Sequence, residues 1–296
     1  MPRHRRNKFV DTLNNAALRG LIGAAKLMPY RWRIPFFGWA SAKIIAPVAG
    51  WRSRIRANLK LVAPDMPADE VRRILNGAPD NAGRSMIEMY SGEEFLERAR
   101  ALPLEGPGVK ELEAAHAEGR PIIVATAHFG NYNAARAALL SKGYDIGSLY
   151  RAPSNPKFAP HYTKMLAAVG GTLFSRDRKG MVKMVRHLKS GKPLLILYDL
   201  HVTRGAELSF LGRPAMTSLA AADMALRHNA LLVPFYGIRC ENGLDFRVVI
   251  DTPVEHTTPE KMMQALNDGL ERHLRNHAPQ WSFMHRRWKL KTRNAG

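Results

Sequence analysis

A histidine just past a strongly apolar run, with a helix starting at once, can take a proton from a hydroxyl or an amine. In this chain of 296 residues that histidine is His128, in Ala127-His128-Phe129-Gly130-Asn131-Tyr132-Asn133. It comes after the run Pro121 to Thr126 and precedes a helical pattern over 132–142. The free backbone N–H groups at a helix start can bind an anion or a developing oxyanion. The same placement suits a histidine that only caps the helix, and these residues alone leave both readings open.

The elements that must position such a site alternate along the chain. Strand-like runs occur at 121–126, 194–198, 231–236 and 246–250, and helical patterns at 132–142, 157–168, 179–190, 217–229 and 259–277. The last of these has Thr258 as cap and Pro259 at its first position. Residues 67–100 read as helices, and the Pro/Gly-rich stretch 102–108 separates them from the first strand-like run. Strands alternating with helices of this length predict an α/β fold, a mixed, largely parallel sheet with helices on both faces. In such sheets chemistry collects at the carboxyl ends of strands.

Other chemistries find little support. Cys240 is the single cysteine, which excludes an intrachain disulfide and a cysteine-built metal site and fits a buried structural thiol. His273 and His277 share a helix face but have no Glu-rich partner motif, so a solvated helix and no metal are expected. The chain carries no G-x-S-x-G elbow, no Walker loop and no dinucleotide glycine fingerprint.

Of the formal net charge of +20, residues 1–60 carry +12 and residues 271–296 carry +6, which leaves the body nearly neutral. The first 60 residues interleave those cations with Leu27, Trp32, Phe36, Trp39, Ile44, Val48 and other apolar side chains. No uncharged stretch there approaches the length of a bilayer span. The pattern predicts a basic amphipathic region, 1–60, lying in the interface of an anionic membrane, ahead of an α/β domain over 61–296. An amphipathic helix packed on the protein's own core would give a similar pattern. A nucleic-acid partner rests on charge alone, with no zinc-finger spacing, RNP-like strand or basic heptad helix, and is not expected.

The motif around His128 resembles the H-x4-D/E motif of the lysophospholipid and lipid A late acyltransferase family. The likeness continues in order: Asn58-Leu59 with Pro64, then Tyr150-Arg151-Ala-Pro-Ser-Asn-Pro156, Arg176 with Gly180, Leu188-Lys-Ser-Gly191, Asp199, Phe210-Leu-Gly-Arg213-Pro-Ala-Met-Thr217, Gln280-Trp281 and His285-Arg-Arg-Trp-Lys289. The resemblance implies transfer of a fatty acyl group from a thioester, on acyl carrier protein or coenzyme A, to a hydroxyl of a lipid acceptor such as a lipid A precursor, with no cofactor. It places the protein on the cytoplasmic face of a bacterial inner membrane. His128 would be the general base. Arg151 and Arg176 are candidates for phosphate groups on donor or acceptor; Gly130, Asn131 and Arg213 would contact substrate, and Thr217 would cap the next helix and shape the wall.

This chain departs from the motif at its acid, where Asn133 stands. Asn can accept from an imidazole N–H but cannot stabilise an imidazolium; in the Ser-His-Asp triad the comparable change lowers turnover by about 10⁴. The departure admits three readings: another acid serves, with Asp199 the candidate; the acid was removed by engineering; or the chain is a silent lipid- or carrier-binding protein.

Overall fold

The computed structural model describes residues 8–150 and 155–288. Five helices open it: α1 (Lys8–Lys26), α2 (Tyr30–Ala40), α3 (Ala46–Val48), α4 (Trp51–Val62) and α5 (Ala68–Tyr90), with a π-helical turn over Ser41–Ile45 between α2 and α3. After α6 (Glu93–Arg100) the chain alternates: β1 (Leu104–Glu105), α7 (Val109–Ala117), β2 (Ile122–Thr126), α8 (Tyr132–Ser141), β3 (Gly147–Tyr150), α9 (Ala159–Ala168), β4 (Thr172–Ser175), α10 (Arg178–Lys189) and β5 (Leu194–Leu197). A hairpin of β6 (Ala206–Phe210) and β7 (Arg213–Thr217) precedes α11 (Ala220–His228), β8 (Leu231–Arg239), β9 (Phe246–Ile250) and α12 (Pro259–His277).

Among the described residues the main sheet runs β1-β9-β8-β2-β5-β3-β4. All neighbours are parallel except β8 and β9. The expected mixed, largely parallel sheet between helices is therefore present. Its central strands are largely apolar because both faces are covered. On β2, Ile122 and Val124 join one core with Leu112 of α7 and Ala138 and Leu139 of α8. Ile123 and Ala125 point the other way, toward Ile74 of α5, Met184 of α10, Ala222 of α11 and Leu266 of α12.

The expected runs and patterns match the observed elements to within three residues at their starts; α7, β6 and β7 were not expected, and β1, β3 and β4 carried no sequence signal. They are two to four residues long and lie toward the sheet's edges, with Gly, Ser and Thr among their residues, so neither length nor apolar alternation marks them. The expected helix over 217–229 begins instead at Ala220. Thr217 ends β7 and does not cap α11: its hydroxyl donates to the Ala215 carbonyl and accepts from Arg287 at 2.6 Å.

The region 1–60 divides between two fates. Tyr30 and Ile34 of α2 are buried in a cluster with Ile87, Tyr90 and Phe95. Close approach of α2 to α5 depends on Gly83, where a Cβ would stand 2.5 Å from the Phe37 carbonyl oxygen. Trp32, Phe36 and Trp39 occupy the opposite face of α2 and are exposed. No described helix is long and apolar enough to cross a membrane.

One buried ion pair joins this helical layer to the sheet. Glu88, on α5, is fully buried, and Arg239, at the end of β8, is 7% exposed. Glu88 Oε2 accepts from Arg239 Nη2 at 2.8 Å and from Asn131 Nδ2, just before α8, at 2.7 Å. Arg239 Nε donates to Asn81 Oδ1, two turns earlier on α5, at 2.8 Å. Removing one charge leaves its partner buried and unpaired. Glu88→Gln should destabilise the fold by about 3–5 kcal/mol, read as a lowered denaturation midpoint.

Candidate active site

Parallel pairing brings the two predicted site residues together. β2 and β5 are neighbours in a register that sets Thr126 opposite Leu197. His128 and Asp199 each lie two residues further on, so they face one another across a single strand spacing of about 4.8 Å. The chain then leaves β2 through α8, on one face of the sheet, and leaves β5 through the hairpin and α11, whose alanines enter the core of the other face. Oppositely directed connections from adjacent strands open a crevice at their carboxyl ends.

In that crevice His128 Nδ1 lies 2.8 Å from Asp199 Oδ1. The other carboxylate oxygen accepts the His128 backbone N–H and the Trp281 indole N–H, each at 2.9 Å. Burial alone would raise the Asp199 pKa, but the His128 charge and these hydrogen bonds outweigh it and hold the carboxyl at about 2. An ionised carboxylate only accepts, which makes Nδ1 the donor in the neutral imidazole and leaves Nε2 as its basic atom. Burial by itself would lower the His128 pKa; attraction and hydrogen bonding to Asp199 reverse the sign and raise it. The Asp199 side chain is 1% exposed and that of His128 27%, so the pair is buried at the acid and open at the base.

The turn after His128 is a rigid support. Gly130 has φ +56°, and a Cβ there would meet the Gly237 carbonyl oxygen at 1.9 Å, so only glycine fits. Its N–H donates to the Gln280 carbonyl, and its own carbonyl accepts from Asn81. Asn131 caps α8, its side-chain oxygen accepting the N–H groups of Asn133 and Ala134, while its amide donates to Glu88. Gly130 and Asn131, expected to contact substrate, thus engage their polar groups within the protein. The cap also takes two of the helix-start amides expected for an oxyanion and leaves the Tyr132 N–H without an acceptor among the described residues.

Asn133 is buried and does not bond to His128. Its amide lies 2.8 Å from Met89 Sδ, and its Oδ1 has no hydrogen-bonding partner among the described residues. Three residues on, the buried Arg136 donates to the Gly170 carbonyl, and its Nε has no partner among the described residues either. Arg176 is exposed immediately after β4, at the same carboxyl edge but with β5 and β3 between it and His128. Arg213 donates through Nε to the Leu61 carbonyl at 2.7 Å, tying the hairpin to α4. Arg151 lies outside the described residues.

Trp281 and His285 belong to the family resemblance, yet the sequence assigns them no role. The segment carrying them docks on the site turn: Ser282 N–H donates to the His128 carbonyl, and Trp281 bridges Phe129. The His285 ring stands edge-on to His128 with centroids 5.1 Å apart, and burial followed by repulsion from His128 lowers its pKa. The Tyr132 ring stands edge-on to the imidazole with centroids 6.1 Å apart, its phenol raised to about 12, chiefly by burial, and so protonated at neutral pH. Their distance along the chain and lack of a self-contained motif conceal the parts played by Trp281 and His285. His273 also differs from its expected solvated setting: it pairs with Asp251 at 3.0 Å beneath Tyr236. Among the described residues no group of three or more His, Cys, Asp or Glu side chains could hold a metal ion.

Residues 7–290 match the family model described as bacterial lipid A biosynthesis acyltransferase. The chain is also similar to a phosphatidylinositol mannoside acyltransferase of Mycobacterium tuberculosis, 21% identical over 81% of this chain and 78% of the relative. A lipid A biosynthesis acyltransferase of Haemophilus influenzae is 24% identical over 86% and 82%. The lipid A biosynthesis lauroyltransferase of Escherichia coli is 23% identical over 80% and 78%.

The two influences on His128 can be separated. In the wild type its imidazole should titrate above the ordinary value of about 6.5. In Asp199→Asn the raising interactions go and burial stays, so the titration should move below about 6.5, as read from the ring resonances by NMR.

Proposed function

Since this chain belongs to the bacterial lipid A biosynthesis acyltransferase family, we propose that it transfers a fatty acyl group from a thioester, on acyl carrier protein or coenzyme A, to a hydroxyl of a lipid acceptor. A lipid A precursor or a related glycolipid or lysophospholipid is the acceptor class. The observation that carries this reading is the His128–Asp199 pair, with Nδ1 held by an ionised carboxylate, which leaves Nε2 as the basic atom of a partly exposed ring. His128 Nε2 takes the acceptor's hydroxyl proton as that oxygen attacks the thioester carbonyl carbon. The tetrahedral oxyanion is stabilised by donors such as the Tyr132 N–H. As it collapses, the carbon–sulfur bond breaks, the imidazolium returns the proton to the leaving thiolate, and an ester and a free thiol result. Asp199 holds the ring's tautomer and balances the imidazolium charge.

Asn133 favours a silent binding protein only if position 133 must supply the acid for His128. Its contact with Met89, and the three donors on Asp199, support the catalytic reading instead. With acyl carrier protein as donor and a membrane lipid extract as acceptor, single-turnover transfer should be abolished in His128→Ala and reduced about 10⁴-fold in Asp199→Asn. Asn133→Asp should change the rate less than about tenfold, because that side chain does not bond to the imidazole. An inert wild type restored by Asn133→Asp would refute this assignment.

Residues 1–60 serve in this reading as the attachment region, seating the enzyme peripherally on the cytoplasmic face of the inner membrane. Support comes from Trp32, Phe36 and Trp39, which are about half exposed on one face of α2, with Ile44, Ile45 and Val48 exposed further along the chain. Arg31 and Lys43 flank these side chains, the cations beside apolar groups that an anionic interface favours. Trp32→Ser/Trp39→Ser should lower partitioning onto lipid vesicles at least tenfold in a flotation assay, with the soluble protein's melting temperature little changed.

A further inference from the structure

On the side of α4 away from the site, four cations surround one open cavity of about 560 Å³. Lys43 comes from the π-helical turn, Arg52 and Arg56 from successive turns of α4, and Arg72 from the first turns of α5. The lining includes no acid, and among the described residues none of the four cations makes an ion pair. Of the acids nearby in the chain, Glu70 is engaged by Arg73 through two hydrogen bonds, while Asp65 and Asp69, next to the lining residues Met66 and Ala68, make no ion pair among the described residues. A single neutral oxygen, Asn76 Oδ1, accepts from both Lys43 Nζ at 3.3 Å and Arg52 Nη2 at 3.1 Å. Several like charges held around one concavity repel each other unless an anion enters it.

Two features bear on what kind of anion that is. The concavity has an apolar floor, including Leu75, 4% exposed. Beside Lys43 in the chain stand exposed Ile44 and Ile45, with Val48, 88% exposed, one turn further on. Clustered Arg and Lys suit the several acceptor oxygens of a phosphate, and an adjoining exposed apolar patch suits acyl chains. We propose that this cavity is a non-catalytic binding site for the phosphate-bearing headgroup of an anionic membrane lipid, whose chains lie along Ile44, Ile45 and Val48. The inference rests on the reading of this face as membrane-facing and adds to it a defined headgroup site. The site lies across α4 from the catalytic segment: Arg54 and Asn58, on the other side of that helix, bond the carbonyls of Met284, Phe283 and His285. A lipid held here would fix α4, and with it the loop that presents His285 to His128.

The test uses the full chain and flotation with phosphatidylcholine vesicles, with and without phosphatidylglycerol. Arg56→Gln/Arg72→Gln removes two lining cations that make no side-chain hydrogen bond among the described residues; Lys110→Gln/Lys142→Gln removes the same charge from exposed positions elsewhere. The lining pair should lose about 30-fold in partitioning onto phosphatidylglycerol vesicles, at about 1 kcal/mol per cation at the surface. The control pair should lose less than about threefold, and binding to phosphatidylcholine alone should be the same in all three proteins. Equal losses in both pairs would reduce the effect to net charge and overturn the site. A wild type that binds neither vesicle would overturn the membrane reading and the site together. Binding of glycerol phosphate or inorganic phosphate as tight as that of the vesicles would make this a free-anion site, and loss of acyl carrier protein binding in place of vesicle binding would make it a carrier dock; either overturns the lipid assignment.

Discussion

A carboxylate on one helix and a guanidinium at the end of one strand, both withdrawn from water, hold the turn that carries His128 in shape. Glu88 and Arg239 each need the other, because an isolated buried charge is far costlier than a paired one. The remaining lone pairs of Glu88 draw in Asn131, so the cap of α8 is set by the same carboxylate that anchors α5 to β8. The backbone between His128 and α8 is therefore fixed from beneath by α5, from the side by Gly237, and from above by Gln280. An imidazole mounted on such a turn has little freedom to leave the orientation its acid partner requires, which is the positional accuracy general-base catalysis depends on.

What could be read in the sequence was whatever is local. The apolar runs of β2, β5 and β8 declare buried parallel strands, and Thr258 with Pro259 declares the start of α12. Asp199 came into view because Asn133 leaves the family motif without its acid and an Asp closes the next apolar run, and register then supplies the partner. Glu88 and Arg239 gave no signal: a charged residue within an amphipathic helix and another closing a strand look like surface groups until the tertiary fold buries them. Trp281 was similarly silent, since its role is defined by an acceptor 82 positions earlier. Asn133 drew attention for its place in a motif, yet its side chain turns from the imidazole toward Met89, a direction that depends on how α8 meets α5 and that no spacing rule supplies.

The amino-terminal region resolves an ambiguity in pattern reading. Aromatic and aliphatic residues interleaved with cations fit a membrane-surface helix and also a helix packed on its own protein, and α2 has one buried and one exposed face. Tyr30, Ile34 and the buried guanidinium of Arg33 face the body, where Arg33 hydrogen-bonds Ser91 and the Met28 carbonyl. The indoles of Trp32 and Trp39 face outward. Because the inner face is locked to α5 through Gly38 and Gly83, whatever the outer face touches is joined rigidly to the helix that carries Glu88.

The indole of Trp281 has a consequence in time. A chain made from its amino end brings out His128 and Asp199, and the strands that make them neighbours, well before residue 281. Until that tryptophan docks, the carboxylate lacks one of its three donors, the carbonyl of His128 lacks the Ser282 amide, and no histidine stands across from the imidazole. The sheet can thus be complete while the chemistry is still unfinished. An emerging polypeptide thereby holds the His128–Asp199 pair without its full set of hydrogen bonds until nearly the whole molecule has been made.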